Sequence, residues 1–206
     1  TSTDAGGLST TESFNINVAD INEGPTDISL SGSSVDENSG AGTVVATLSG
    51  TDPDAGDSLS FGLVGESSLF EVVGDELRVK ADADIDFESA ESHSVTLRVT
   101  DADGETYDET VQINVADVNE GPTDISLSGS SVNENATGAV VGTLSTSDLD
   151  DSSHTYTVSD GRFEVVGGEL KLKSGESLDH ETEPTVSVEV TSTDAGGLST
   201  TESFNI

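Results

Sequence analysis

The chain has 206 residues, with 41 Asp and Glu against 6 Lys and Arg, and a formal net charge of −35. Six dispersed basic residues cannot supply the cationic footprint that nucleic acid or an anionic membrane surface requires, and no apolar run of about 18 residues is present to span a bilayer. No charged-then-apolar leader opens the chain, and the absence of Cys excludes disulfides, thiolate chemistry and Cys-type zinc sites.

The apolar residues fall in short alternating runs, which predicts a folded acidic protein rather than a disordered one. In chain order, residues 1–21 read as the tail strands of a preceding repeat, because Thr1–Ile16 recurs unchanged as Thr191–Ile206. A first repeat spans 22–118. A second spans 119–206, truncated before its C-terminal linker. The run Asn22–Val35 returns unchanged as Asn119–Val132, 97 residues on, and Phe70–Gly74 returns as Phe163–Gly167. Within the first repeat Val44, Ala46 and Leu48 share one parity. Leu77 and Val79 form a short run, and Val95, Leu97 and Val99 alternate with Thr96 and Arg98. Tyr107, Val111, Ile113 and Val115 line one side of a last strand. Alternation over four to eight residues is the mark of a half-buried strand. Clusters of Gly, Asp, Asn and Ser punctuate the runs, and no window has helical spacing. The expectation is all-β: two tandem seven-stranded Greek-key β-sandwiches. The short Asn-Glu-Gly-Pro joint predicts that they stack end to end.

Acidic residues gather at the predicted strand ends. In the first repeat the groups are Asp36-Glu37-Asn38, Asp52 to Asp57, Ile85-Asp86-Phe87-Glu88, Asp101 to Gly104 and Asp117 to Pro122. The second repeat has Asn133-Glu134-Asn135, Asp148 to Asp151, Leu178-Asp179-His180-Glu181 and Asp194 to Gly197. In extended chain an Asp-x-Asp places both carboxylates on one side. Two such charges about 4 Å apart repel by roughly 4 kcal/mol at an effective dielectric near 20. A domain that gathers several calls for a cation. Hard oxygen ligands in high number suit Ca²⁺ better than Mg²⁺, which keeps more of its water.

The order of these motifs resembles the cadherin repeat in its bacterial form. The matching pieces are Asp-x-Asn-Glu-Gly-Pro at the joint, Glu-Asn after the first strand, Asp-x-Asp in a loop, and Leu/Ile-Asp-x-Glu before a late strand. The resemblance implies a cadherin/immunoglobulin-like sandwich with Ca²⁺ held between consecutive domains. It assigns the complete junction to Glu37, Asp86 and Glu88 of the first repeat, Asp117, Asn119 and Glu120 of the linker, and Asp148, Asp150 and Asp194 of the second. Asn119 would serve through its backbone carbonyl. The family's linker has Asp then Asn where this chain has Glu120 and Gly121, so one ligand is longer and one is absent or comes from backbone. His180 stands where the family often has Arg and reads as a spacer. Two half-sites follow: Asp20, Asn22, Glu23, Asp52, Asp54 and Asp101 at the front, and Glu134, Asp179 and Glu181 at the back. They are complementary, so molecules are expected to associate head to tail in calcium.

The function implied is that of a calcium-binding tandem repeat of an extracellular or cell-surface bacterial adhesin. Ca²⁺ would rigidify the joint, and the partners would be neighbouring repeats, a homophilic cell-surface protein or a polysaccharide. No nucleic acid or membrane insertion is expected. The alternative is a calcium-dependent carbohydrate-binding module. Paired carboxylates also serve glycosidases, but the chain has no Trp and two Tyr to build a sugar platform. His93, His154 and His180 form no nucleophile–base arrangement, and neither an EF-hand nor a Gly-rich nonapeptide calcium repeat occurs. An enzyme is not expected.

Overall fold

Alternating runs become short strands, and no helix forms among residues 1–206, all of which the computed structural model describes. The chain divides into two units, Thr1–Ala116 and Asp117–Ile206.

The first unit opens with a small antiparallel hairpin, β1 (Ser2–Thr3) and β2 (Ser9–Thr10), followed by residues 11–26 without regular structure. Eight strands then build a sandwich: β3 (Asp27–Leu30), β4 (Ser34–Asp36), β5 (Val44–Thr51), β6 (Ser60–Leu63), β7 (Phe70–Val73), β8 (Glu76–Val79), β9 (Ser92–Thr100) and β10 (Thr106–Ala116). One sheet runs β3-β5-β8-β7 and the other β4-β10-β9-β6. Every pairing is antiparallel except that of β4 with β10, where Val35 faces Val115. The first strand of the sandwich is thus split, with its two halves in different sheets. Period-two alternation sends one face of each strand inward: Val95, Leu97 and Val99 of β9 are buried, as are Ile28, Leu48, Phe70, Leu77 and Ile113.

The second unit repeats the plan with seven strands: β11 (Asp124–Leu127), β12 (Val140–Ser147), β13 (Thr155–Val158), β14 (Phe163–Val166), β15 (Glu169–Leu172), β16 (Ser187–Thr193) and β17 (Ser199–Asn205). Its sheets are β11-β12-β15-β14 and β13-β16-β17. Its core joins Ile125, Leu144, Phe163, Leu170, Val188 and Val190. The same irregularity recurs in both units, a register shift between Val44 and Ala46 and between Val140 and Gly142. The expected all-β pair of Greek-key sandwiches is the architecture found. The units differ at one strand: β4 has no counterpart, and Val132, which repeats Val35, lies outside any strand and is half-buried.

Candidate metal centres

Strand register decides where the acids meet. In the first unit β5 ends at Thr51, paired with Asp27, and β9 ends at Thr100, paired with Ser60 at the start of β6. Asp52 and Asp101 therefore leave the sandwich at one end, and the loop entering β6 brings Asp57 to them. Oxygen atoms of Asp52, Asp57 and Asp101 lie within 4.8 Å of one another. Asp101 is 6% exposed and well supplied with donors. Its Oδ1 accepts from the backbone N–H groups of Gly104 (2.6 Å) and Glu105 (2.8 Å), and its Oδ2 from Asn22 Nδ2 (3.0 Å). The Asn22 amide, with those backbone donors, holds Asp101 below the usual carboxylate range. Asp52 Oδ1 accepts from Asp54 N at 2.9 Å, but Asp52 Oδ2 and Asp57 Oδ2 are buried and accept no hydrogen bond. Burial, then the charges of Asp52 and Asp101, push Asp57 up. Glu23 is also raised, first by the charge of Asp54.

The extended Asp-x-Asp picture does not hold here. Residues 52–57 bend, and Gly56 takes a φ of 97°, which an L side chain rarely adopts. Asp54 is turned away to accept from Glu23 N at 2.8 Å, and Asp57 takes the place beside Asp52. Sequence reasoning did not name Asp57 as a ligand. The glycine immediately before it was the available signal. Asp20 belongs to the same region through its charge, which helps raise Glu23.

At the opposite end of the first unit, oxygen atoms of Glu37, Asp86 and Glu88 also lie within 4.8 Å of one another. Glu37 follows β4, and its N–H donates to Ala116 O at the end of β10. Asn38 then adopts a left-handed φ of 57°, a conformation Asn tolerates better than most residues, and donates to Ile85 O. That contact draws the Ile85–Glu88 loop over Glu37, whose carboxylate accepts from Phe87 N at 2.9 Å. The buried Ile85 side chain anchors the loop in the core. Asp86 accepts from Ser89 Oγ (2.6 Å) and Ser89 N (3.0 Å), which holds its pKa down.

The second unit has the same two ends. Asn135 repeats the left-handed turn with a φ of 58° and donates to Leu178 O. Glu134, Asp179 and Glu181 come together with oxygen atoms within 4.8 Å, all three exposed. Asp179 is held down by hydrogen bonding with Glu181 and then Thr182. At the other end Asn119 Nδ2 donates to Asp194 Oδ2 (3.0 Å) and Leu198 N to Asp194 Oδ1 (2.7 Å). The Asn119 side chain is the first cause of a lowered Asp194 pKa. A Cβ on Gly196 would lie 2.7 Å from Asn119 Nδ2, so the tucked amide requires glycine there. Glu120 N donates to Asp150 Oδ2, as Glu23 N does to Asp54. Asp117 opens the unit.

One difference separates the corresponding ends of the two units. Asp148 takes N–H bonds from Asp150 and Asp151 on Oδ1, and its Oδ2 lies 2.9 Å from His154 Nε2. The imidazole is the first cause of a lowered Asp148 pKa. Asp52 has no such partner and meets another carboxylate instead. Polar groups continue inward in the second unit, where Thr146 Oγ1 lies 2.8 Å from both Tyr156 Oη and Ser192 Oγ. On the equivalent rungs the first unit has Gly50, Phe61 and Val99.

No family model matches the chain. Human protocadherin gamma-A11 is 32% identical over 136 residues, which is 58% of this chain and 14% of that protein. A solved structure titled PcdhgB3 EC1-4 superposes with a TM-score of 0.67 at 24% identity, covering 92% of this chain and 50% of that one. The extracellular domain of protocadherin gammaB4 gives a TM-score of 0.64 at 25% identity, covering 91% of this chain and 32% of that one. This chain thus spans a small part of the curated relative and half or less of those solved chains. The fold of the chain is similar to that of cadherin repeat domains.

Proposed function

We propose that the chain is a calcium-binding stretch of an extracellular adhesion array of the bacterial surface type, in which Ca²⁺ stiffens the joint between consecutive repeats. The observation that carries this reading is the meeting of Asp52, Asp57 and Asp101, with two buried carboxylate oxygens that accept no hydrogen bond. Buried anionic oxygens without donors destabilise a fold unless a cation satisfies them. A bound Ca²⁺ supplies that charge and takes six to eight oxygen ligands. Asn22, Gly104 and Glu105 orient Asp101, and Ser89 orients Asp86.

The same reading gives the junction between the repeats to Glu37, Asp86, Glu88, Asp117, Asn119, Glu120, Asp148, Asp150 and Asp194. Asn119 Nδ2 donates to Asp194, and in this reading Asn119 offers its backbone carbonyl, as the resemblance implies. Asp20, Asn22, Glu23, Asp52, Asp54 and Asp101 form a front half-site, which Asp57 joins. Glu134, Asp179 and Glu181 form a back one. The partners in this reading are neighbouring repeats and a cell-surface protein. The bacterial assignment rests on the order of the four sequence motifs alone; the curated relative reported above is a human protein.

Melting and solution scattering in chelator and in calcium test the proposal. Ligand at about a hundredfold excess over Kd stabilises by about 2.7 kcal/mol, which raises Tm by roughly 10–20 °C for a unit of this size. The scattering profile should narrow to one extended form, and the Glu88→Ala, Asp150→Ala protein should keep the calcium-free profile. Identical melting and scattering with and without calcium would refute the reading.

A further inference from the structure

In the first unit β9 outruns its neighbour β6. The two pair only where Leu97–Thr100 meets Ser60–Leu63, and one further bond runs from Val64 N to Thr96 O at 2.8 Å. Gly65 then takes a φ of 84°, and the chain turns away towards β7. In an antiparallel ladder the backbone groups of alternate residues point to opposite neighbours. Val115 N of β10 donates to Glu91 O, so odd-numbered residues here face β10 and even-numbered ones face the β6 side. The N–H and C=O of Ser94 therefore face a place where no strand lies. A pocket of about 360 Å³ opens there. Its walls include Leu63, Glu66, Leu69, Phe70, His93 and Ser94, and none comes from β10. Ser67 Oγ accepts from Leu69 N (3.2 Å) and Phe70 N (3.0 Å), and Lys80 Nζ donates to Ser67 O (3.1 Å), so the wall opposite β9 is braced. His93 Nε2 is buried and makes no hydrogen bond, and its ring sits edge-on to Phe70 at 6.2 Å. The second unit treats this place differently. Leu97 pairs with Leu63 and Val190 with Val158, so four residues earlier Val186 stands for His93, and it is a core residue. The connection to the next strand is 159–162 there, against the longer 64–69, and Ser159 Oγ accepts from Glu189 N at 3.0 Å.

We propose that this pocket docks an extended, basic peptide segment of a partner protein, which adds to β9 where β6 stops. Ser94 gives the incoming backbone a donor and an acceptor on one rung, and Ser92 carries the same edge onward. In strand addition main-chain bonds supply affinity, and pockets for alternate side chains supply selectivity. The inward side chain of the peptide reaches His93, whose imidazole pairs with a hydroxyl or an amide. A buried polar nitrogen without a partner is a cost to the fold, and the ligand's hydrogen bond removes it. Leu63, Leu69 and Phe70 receive the apolar part of the segment. Charge sets its sign. Glu66 lines the pocket and the chain carries −35, so a cationic segment is drawn in and an acidic one is repelled.

Random heptapeptides displayed on phage are the probe, selected on the full chain in calcium and again in chelator. Sequences containing Lys or Arg should be enriched in both. A synthesised member should slow hydrogen exchange of the Ser94 amide by about tenfold or more. Two variants separate docking from folding. Pro is tolerated in a strand where its nitrogen faces no partner, so Ser94→Pro removes the open donor and keeps the bonds to β10. His93→Val installs the residue that the second unit has at this position and decides the matter if Ser94→Pro does not fold. Each folded variant should melt close to the parent and bind the peptide about tenfold or more weakly. Absence of enrichment, the result expected if a small polar molecule fills the pocket instead, overturns the proposal. So does selection of acidic sequences. Peptides that bind His93→Val or a folded Ser94→Pro as tightly as the parent, as peptides held by the carboxylate clusters would, also overturn it.

Discussion

The two identical segments make an internal experiment. In both, an Asp N–H donates to the carbonyl of the Leu four residues on, Asp4 to Leu8 and Asp194 to Leu198. In both, the second glycine of the turn has a positive φ, 84° at Gly7 and 92° at Gly197. The flanking threonine hydroxyls also meet twice, Thr1 with Thr11 and Thr191 with Thr201. The turn is therefore encoded locally. The strands are not. Ser9–Asn15 gives a strand of only two residues, Ser9–Thr10, whereas Ser199–Asn205 is strand throughout. The second copy continues Val186, Val188 and Val190, which are buried, and lies beside β13. The first copy has no such neighbour. Side chains that fit a half-buried sheet form one only when the other half is present.

The comparison can be broken most completely at Val188. This residue is fully buried in β16, and Val188→Asp places an unpaired charge in the core. The second unit should unfold, and amides of 199–205 should exchange as fast as those of 9–15. The core of the first unit should keep its protection in hydrogen exchange. Retained protection at 199–205 would mean that β17 does not depend on that core.

A smaller effect separates two phenylalanines at the same place in the repeat. Phe204 packs on the core and Phe14 is 79% exposed. Removing a buried Phe side chain costs about 3–5 kcal/mol, so half-buried Phe204→Ala should cost about 2 kcal/mol. Phe14→Ala should stay within about 0.5 kcal/mol. Chemical denaturation of each variant checks the difference.

The smallest expected effect is that of pH. Asp57 has a raised folded pKa, so it disfavours the fold above its ordinary value, and that penalty lifts as pH falls through the folded value. Asp194 has a lowered folded pKa, so its contribution is present above the ordinary range and is lost only on further acidification. In chelator, acidifying from neutrality towards the ordinary carboxylate range should stabilise the first unit relative to the second. Exchange of buried amides in each unit gives the sign. In calcium the first unit's gain should vanish.

Much of this was legible in the sequence, for reasons the two units make plain. Val95, Leu97 and Val99 alternate because β9 is central in its sheet and packs one face, so the pattern identifies the strand. Glu37, Asp86 and Glu88 were legible because a left-handed Asn38 and the buried Ile85 fix their loops locally. Asp57 was not, since its position depends on a bend at Gly56 rather than on period two. Ser34-Val35 and Ser131-Val132 are identical in sequence, and only the presence of Asn114–Ala116 alongside turns the former into a strand.

Calorimetric titration of the full chain with calcium, beside the Asp57→Asn protein, tests the central claim most directly. The account predicts saturable binding by the parent protein. Loss of the Asp57 charge should weaken one site by about tenfold or more, since affinity follows ligand charge. No calcium binding by the parent protein, or identical isotherms for the two proteins, would contradict it.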